Sequence, residues 1–295
     1  MNDGVPPPIA ITAAPTLIPP MSLRHSSAFS HGDIYIFDIT ANQSNLIVSA
    51  STHEIKLYNP STLAINRVLK FHTDTISQVK AHGENFIFSS SKDGHAALWD
   101  LRTDGAPVQT YCSARKDPLL SFDLNCAEQI LAAGTELNDE MYEAYIHFFD
   151  TRMAGNASTA NNTAVKTFNE SHSDDVTQIK FHPTNPMRLM SGSVDGLVCQ
   201  MDISQEEDDA MEVVANTEAS VHKIGYFGPQ AEYIYALSHM ETLSLWMSDQ
   251  ADMIHNFGDV RGVSNPGLGL TVDYMVDCQY DPITQRLFVL SGSNE

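Results

Sequence analysis

Basic residues are scarce in this chain. Lys and Arg number 16 against 37 Asp and Glu, giving a formal net charge of −21 at pH 7. Phosphate-backbone binding needs clustered cations, so direct nucleic-acid binding is not expected. No apolar run of about 18 residues occurs, which excludes a membrane-spanning helix. Cysteine is limited to Cys112, Cys126, Cys199 and Cys278, with no C-x-x-C pair. A disulfide framework or a cysteine zinc site is therefore not expected, and free thiols in a reducing compartment are. Helical periodicity sustained over 11 or more residues is also missing. The catalytic signatures are missing as well: no H-E-x-x-H, no G-x-S-x-G elbow and no phosphate loop around Gly267-Leu268-Gly269. An enzyme, a metal site, a cofactor or a small-molecule substrate is accordingly not expected.

Acid is unevenly placed. Residues 1–120 hold 9 basic and 10 acidic side chains, and residues 121–295 hold 7 and 27. Either the acid keeps the chain soluble, or its field draws basic partners. Glu206-Glu207-Asp208-Asp209 lacks the order of a calcium loop and reads as a solvated acidic segment. Sequons begin at Asn42, Asn156, Asn161 and Asn169, but no basic segment and apolar core of a secretory leader precede them. The expected location is the cytoplasm, the nucleus or both. Residues 1–30 form a proline-rich stretch (VPPPIAITAAPTLIPP at 5–20), which is expected to be a disordered tail.

From residue 31 the pattern is all-β: short runs of Ile, Val, Phe, Tyr and Leu, broken by Asp, Gly, Asn and Pro. Residues 85–101 (NFIFSSSKDGHAALWDL) read as two strands around Asp93-Gly94, ending in Trp99-Asp100. Residues 187–203 (MRLMSGSVDGLVCQMDI) repeat that order, with Met201 in the tryptophan slot. Weaker copies span 45–60, 128–150 and 232–247. Their ends at Asn59, Asp100, Asp150, Asp202 and Met247 are 41, 50, 52 and 45 residues apart, the span of a four-strand unit with variable loops. Two copies have a leading histidine: His72 stands 27 residues before Trp99, and His172 stands 29 before Met201.

With these residues the chain resembles the WD-repeat family of β-propellers. Residues 71–100 match its pattern throughout, with His72, Ser89, Asp93, Trp99 and Asp100. Residues 171–202 match with His172, Ser191, Asp195 and Asp202 but lack the Trp. The stretches 191–210, 219–228 and 233–246 add likeness to a single branch of the family. The resemblance implies a propeller over 31–295, with a structural network of His72, Ser89, Asp93 and Trp99 and its copy at His172, Ser191 and Asp195.

Five complete blades are expected, at about 33–70, 71–112, 115–169, 171–217 and 219–258, with a partial sixth from 271. The sequence stops at the turn that would open a third strand there, so an incomplete ring with a free edge near 285–293 is expected. A fragment or short isoform, a strand from 21–30, or a partner would each account for it. The implied function is a non-catalytic scaffold whose loops at 135–143, 204–212 and 258–270 bind proteins or peptides, basic ones by charge. An alternative is a substrate receptor of a ubiquitin ligase. That reading rests on the W-D-x-R pattern of Trp99-Asp100-Leu101-Arg102, with a degraded copy at Phe149-Asp150-Thr151-Arg152. A propeller-based enzyme is a third and weaker reading.

Overall fold

The computed structural model describes residues 34–153, 162–262 and 272–293. The chain runs as antiparallel four-strand meanders. Blade 1 holds β1 (Ile36–Ala41), β2 (Leu46–Ala50), β3 (Glu54–Tyr58) and β4 (Ile65–Lys70). Blade 2 holds β5 (Ile76–His82), β6 (Phe86–Ser91), β7 (His95–Asp100) and β8 (Gln109–Cys112). Blade 3 holds β9 (Leu119–Leu124), β10 (Ile130–Thr135), β11 (Ile146–Asp150) and β13 (Lys166–Phe168); the short β12 (Asn162–Thr163) instead pairs in parallel with β8. Blade 4 holds β14 (Val176–Phe181), β15 (Arg188–Ser193), β16 (Leu197–Asp202) and β17 (Met211–Asn216), with a single helical turn α1 (Glu207–Ala210) before β17. Blade 5 holds β18 (Val221–Phe227), β19 (Tyr233–Ser238), β20 (Thr242–Met247) and β21 (Met253–Asp259). A sixth sheet has two strands, β22 (Tyr274–Asp281) and β23 (Arg286–Gly292).

Register identifies the five blades as copies. The second and third strands pair Leu46 with Tyr58, Ile87 with Trp99, Leu131 with Phe149, Leu189 with Met201 and Ile234 with Trp246. A large residue thus occupies the tryptophan slot of every blade. The alternation of strand side chains sends one apolar set to each face, and each set meets the next blade. One core cluster joins Ile47, Ile55 and Leu57 of blade 1 to Ile76, Ile87 and Trp99 of blade 2. Four more link the successive pairs, the last joining Tyr235 and Leu245 to Met275 and Cys278. The core lies between sheets, so stability comes from blade-to-blade stacking.

The all-β propeller, with five four-strand blades and half of a sixth, is as expected, and no sheet among the described residues closes on another. β23 has no partner on its outer side among them, and Val289 and Leu290 are exposed there. The expected tail at 1–30, a strand from 21–30 and most of the 258–270 loop lie outside the described residues.

Candidate functional site

A meander puts its loops at two ends. Connections from second to third strand, and from blade to blade, emerge at one end. Connections from first to second and from third to fourth strand emerge at the other.

The first end contains the histidine network. His72 Nδ1 lies 3.0 Å from Asp93 Oδ2, and its Nε2 lies 2.8 Å from Ser89 Oγ. The carboxylate only accepts, so the proton on Nδ1 points to Asp93. The Trp99 indole N–H donates to Ser89 Oγ at 2.9 Å. Asp93 also accepts the backbone N–H groups of Thr73 and His95. Burial pushes the Asp93 carboxyl up, but the bonds from His72 and His95 outweigh it and hold the group well below the usual carboxylate range. His172 repeats the arrangement, 3.0 Å from Asp195 Oδ2 and 2.7 Å from Ser191 Oγ. Met201 supplies no donor in the Trp99 position. Beside it the Cys199 thiol is pushed up to about 12 by burial.

Blade 3 builds a different network from residues whose spacing gave no signal. His147, on the third strand, places Nε2 2.9 Å from Asp117 Oδ2 and Nδ1 2.9 Å from Thr167 Oγ1. The Ser113 hydroxyl donates to Asp117 at 2.6 Å. Both ring nitrogens are engaged, so this is a structural clasp and not a free base. The signal available was the short Ser113-x-x-x-Asp117 loop in the place of the missing leading histidine.

The opposite end holds Arg102, Arg152 and the acidic loop together, in the third-to-fourth-strand connections of blades 2, 3 and 4. Arg102 closes a fork on its own chain: Nε donates to Asp100 Oδ1 at 2.9 Å and Nη2 to Oδ2 at 2.7 Å. Arg152 does the same on Asp150 at the same distances. The arginine bonds lower both carboxyls to about 2. In blade 4, Ser204 replaces the arginine; its N–H donates to Asp202 Oδ1 at 2.9 Å, and its side chain and N–H together hold the Asp202 carboxyl below the usual range. Glu206, Asp208 and Asp209 are exposed. Glu207 is turned inward, accepting the Asn169 and Glu170 N–H groups and the Ser171 hydroxyl at 2.7–2.9 Å, so its carboxylate closes a loop and is not presented.

Each of these connections is also clamped from the preceding blade's outer strand. Arg67 donates to the carbonyls of Leu101 (2.8 Å) and Thr103. Gln109 donates to Thr151 (3.4 Å) and Met153 (2.7 Å), and Lys166 to Ile203 (3.3 Å) and Gln205. The recurrence of one donor per outer strand was not read from the sequence, because Arg, Gln and Lys share no pattern there. Of the expected contact loops, 135–143 lies at the histidine end and 204–212 at the arginine end, so they do not form one surface. Among the described residues no three His, Cys, Asp or Glu side chains are arranged to hold a metal.

Comparison with known proteins gives a consistent picture. The family model for "WD domain, G-beta repeat" matches residues 64–100 and 162–202. A WD repeat-containing protein 89 homolog of Dictyostelium discoideum is 33% identical over 92% of this chain and 71% of its own. The WD repeat-containing protein GTS1 of Arabidopsis thaliana is 31% identical over 92% of this chain and 68% of its own. A histone acetyltransferase type B subunit 2 of Debaryomyces hansenii is 26% identical over 58% of this chain and 41% of its own. Among solved structures, a chain in the crystal structure of a mitotic checkpoint complex matches with a TM-score of 0.66. It has 14% identity and covers 87% of this chain and 71% of that one, a likeness of fold alone.

Proposed function

The chain belongs to the WD-repeat family, whose members generally serve as protein-interaction scaffolds, and from that premise we propose that its arginine end is the docking face for a partner protein. One observation carries the proposal: three successive connections are fixed in place by donors from the neighbouring blade. A surface held in its bound shape loses little entropy when a partner arrives. The face presents Arg102 and Arg152 on blades 2 and 3, and Glu206, Asp208 and Asp209 on blade 4. The acidic part selects basic segments, in keeping with a net charge of −20 over residues 121–295. A relative named as a histone acetyltransferase subunit supports the same partner chemistry. The role is non-catalytic, and it is exercised in the cytoplasm or nucleus.

The test is recovery of basic partner proteins by the wild-type chain at about 0.15 M salt, compared with a Glu206→Gln/Asp208→Asn/Asp209→Asn variant. Recovery should fall sharply in the variant. Equal recovery removes the acidic loop from the interface. The ligase-receptor reading has its own support, since Arg102 and Arg152 occupy equivalent positions on adjacent blades. An Arg102→Ala/Arg152→Ala chain should then lose a ligase component while keeping the basic partner.

A further inference from the structure

In blades 2, 4 and 5 the first strand has a bulge near its start. The residue set between two rungs of the ladder is Ser77 in blade 2, Thr177 in blade 4 and His222 in blade 5. A bulge bends its strand and re-aims the extra side chain. Ser77 and Thr177 are aimed at the next blade, where they donate to the Leu119 and Val221 carbonyls at 2.7 and 2.8 Å. His222 makes no such bridge among the described residues. Its ring lies beside that of His239, the first residue after β19, with centroids 4.8 Å apart and planes tilted by 52°. The His239 N–H donates to the Ser220 carbonyl at 2.9 Å, which fixes the two segments against each other.

Neither ring has a hydrogen bond or an ion pair among the described residues. By contrast, His72, His82, His95, His147, His172 and His182 each have a polar partner. His239 is exposed, and half-buried His222 has no ring nitrogen sealed from solvent. Both imidazoles are therefore free to act as ligands. Imidazole nitrogens bind zinc-class ions at about 2.0–2.1 Å, so two rings on one ion have centroids about 4.5–5.2 Å apart, from square to tetrahedral coordination. The observed 4.8 Å lies within that span. Lys223 and Asp277 are the charges acting on His222 and oppose each other, while the net charge of −21 favours a cation. The two histidines are 17 residues apart in sequence, a spacing that matches no ligand motif. The β18–β19 hairpin brings them together.

We propose that His222 and His239, at the histidine end of blade 5, form a binding site for a divalent transition-metal ion of the copper and zinc class. Each imidazole supplies one nitrogen. Among the described residues no third His, Cys, Asp or Glu joins them, so water fills the remaining positions of the ion. The bound ion ties the start of β18 to the turn after β19. This site is at the opposite end from the docking face and does not depend on it.

The full chain is titrated separately with copper(II) and zinc(II), followed by electron paramagnetic resonance for copper and thermal melting for both. The copper spectrum should show coupling to two nitrogens per ion at the tightest site, and both metals should raise the melting temperature, since a ligand that binds only the folded state stabilises it. Copper should bind more tightly than zinc. His222→Gln and His239→Gln should each weaken binding by about 10-fold or more, because the second ligand no longer closes on the ion within one molecule. Each should also remove the two-nitrogen signature. Without metal, His239→Gln should melt as the wild type does, because the side chain is exposed, so its loss of binding is not unfolding. Affinity unchanged in both variants means an adventitious ion only and overturns the site. Loss in one variant alone overturns it too, by leaving a single imidazole as the ligand, as does a wild-type copper spectrum without two-nitrogen coupling.

Discussion

At the scale of single residues, histidines contribute both to stability and to its pH dependence. His72 is buried and joins three elements: the loop before blade 2, the β6 hydroxyl of Ser89 and the turn carboxylate of Asp93. His72→Ala leaves Ser89 and Asp93 short of a partner, at a cost of about 1–3 kcal/mol. Chemical denaturation should show a lower midpoint with an unchanged slope; an unchanged midpoint would remove the network from the stability of the fold. His222 acts through charge. Burial, then Lys223 and the ring of His239 at 4.8 Å, lowers it from 6.5 to about 4, against the opposing pull of Asp277. Its folded pKa is depressed, so above pH 6.5 its neutral form is matched in both states. As pH falls from 6.5 through about 4, the unfolded chain takes the proton first and stability is lost. His222→Gln should flatten the melting profile across that window, and a slope equal to wild type would place the dependence elsewhere. The two leading histidines were legible because each stands a nearly constant distance before its hairpin. The His147–Asp117 clasp was not, because its histidine lies on the third strand of the blade and not in the loop before it, so the spacing that marks His72 and His172 does not find it.

At the scale of elements, the hairpin turn is the recurring device. The turn read from the sequence, Lys92-Asp93-Gly94, is the loop between β6 and β7, with the Gly94 N–H bonded to the Ser91 carbonyl and Gly94 at φ +81°. This loop turns Asp93 back to His72 while Gly94 takes the left-handed position. Blades 1 and 5 put His53 and Glu241 there, at φ +60° each, which explains why those hairpins were hard to read from turn residues. Both repeat glycines are strained by any side chain, but only one is crowded. A Cβ on Gly94 would meet the Lys116 backbone at 2.5–2.7 Å, whereas on Gly196 its nearest neighbour is Ala219 O at 3.4 Å. Gly196→Ala should cost about 1–2 kcal/mol, the conformational penalty alone. Gly94→Ala should cost more, because backbone must move. Equal losses by thermal melting would show that the loop before β9 yields freely.

At the scale of the molecule, the blades form a line of nearest-neighbour contacts, and links across each boundary couple them. Ser77 donates to the Leu119 carbonyl at 2.7 Å, Ser121 to Val176 at 2.9 Å and Thr177 to Val221 at 2.8 Å, one hydroxyl bridge from each of blades 2, 3 and 4 to the next. These bridges were hidden in the sequence, since a lone Ser or Thr near a strand start says nothing until register aligns it. Blade 4 has such a neighbour on both sides. Among the described residues the two-strand sheet of β22 and β23 packs on blade 5 alone, and Val276, Val289 and Leu290 are 43–47% exposed there. In a linear array the opening free energy of a unit falls with the number of interfaces it must break. Hydrogen exchange should therefore be slowest for Val176–Phe181, faster for Val221–Phe227 and fastest for Tyr274–Asp281 and Arg286–Gly292. A partner strand seated on the β23 edge would raise protection in that last pair before any other. Uniform protection across these strands in the isolated chain would mean that the blades unfold as one unit, and that the hydroxyl bridges, not the count of interfaces, set the stability of the ring.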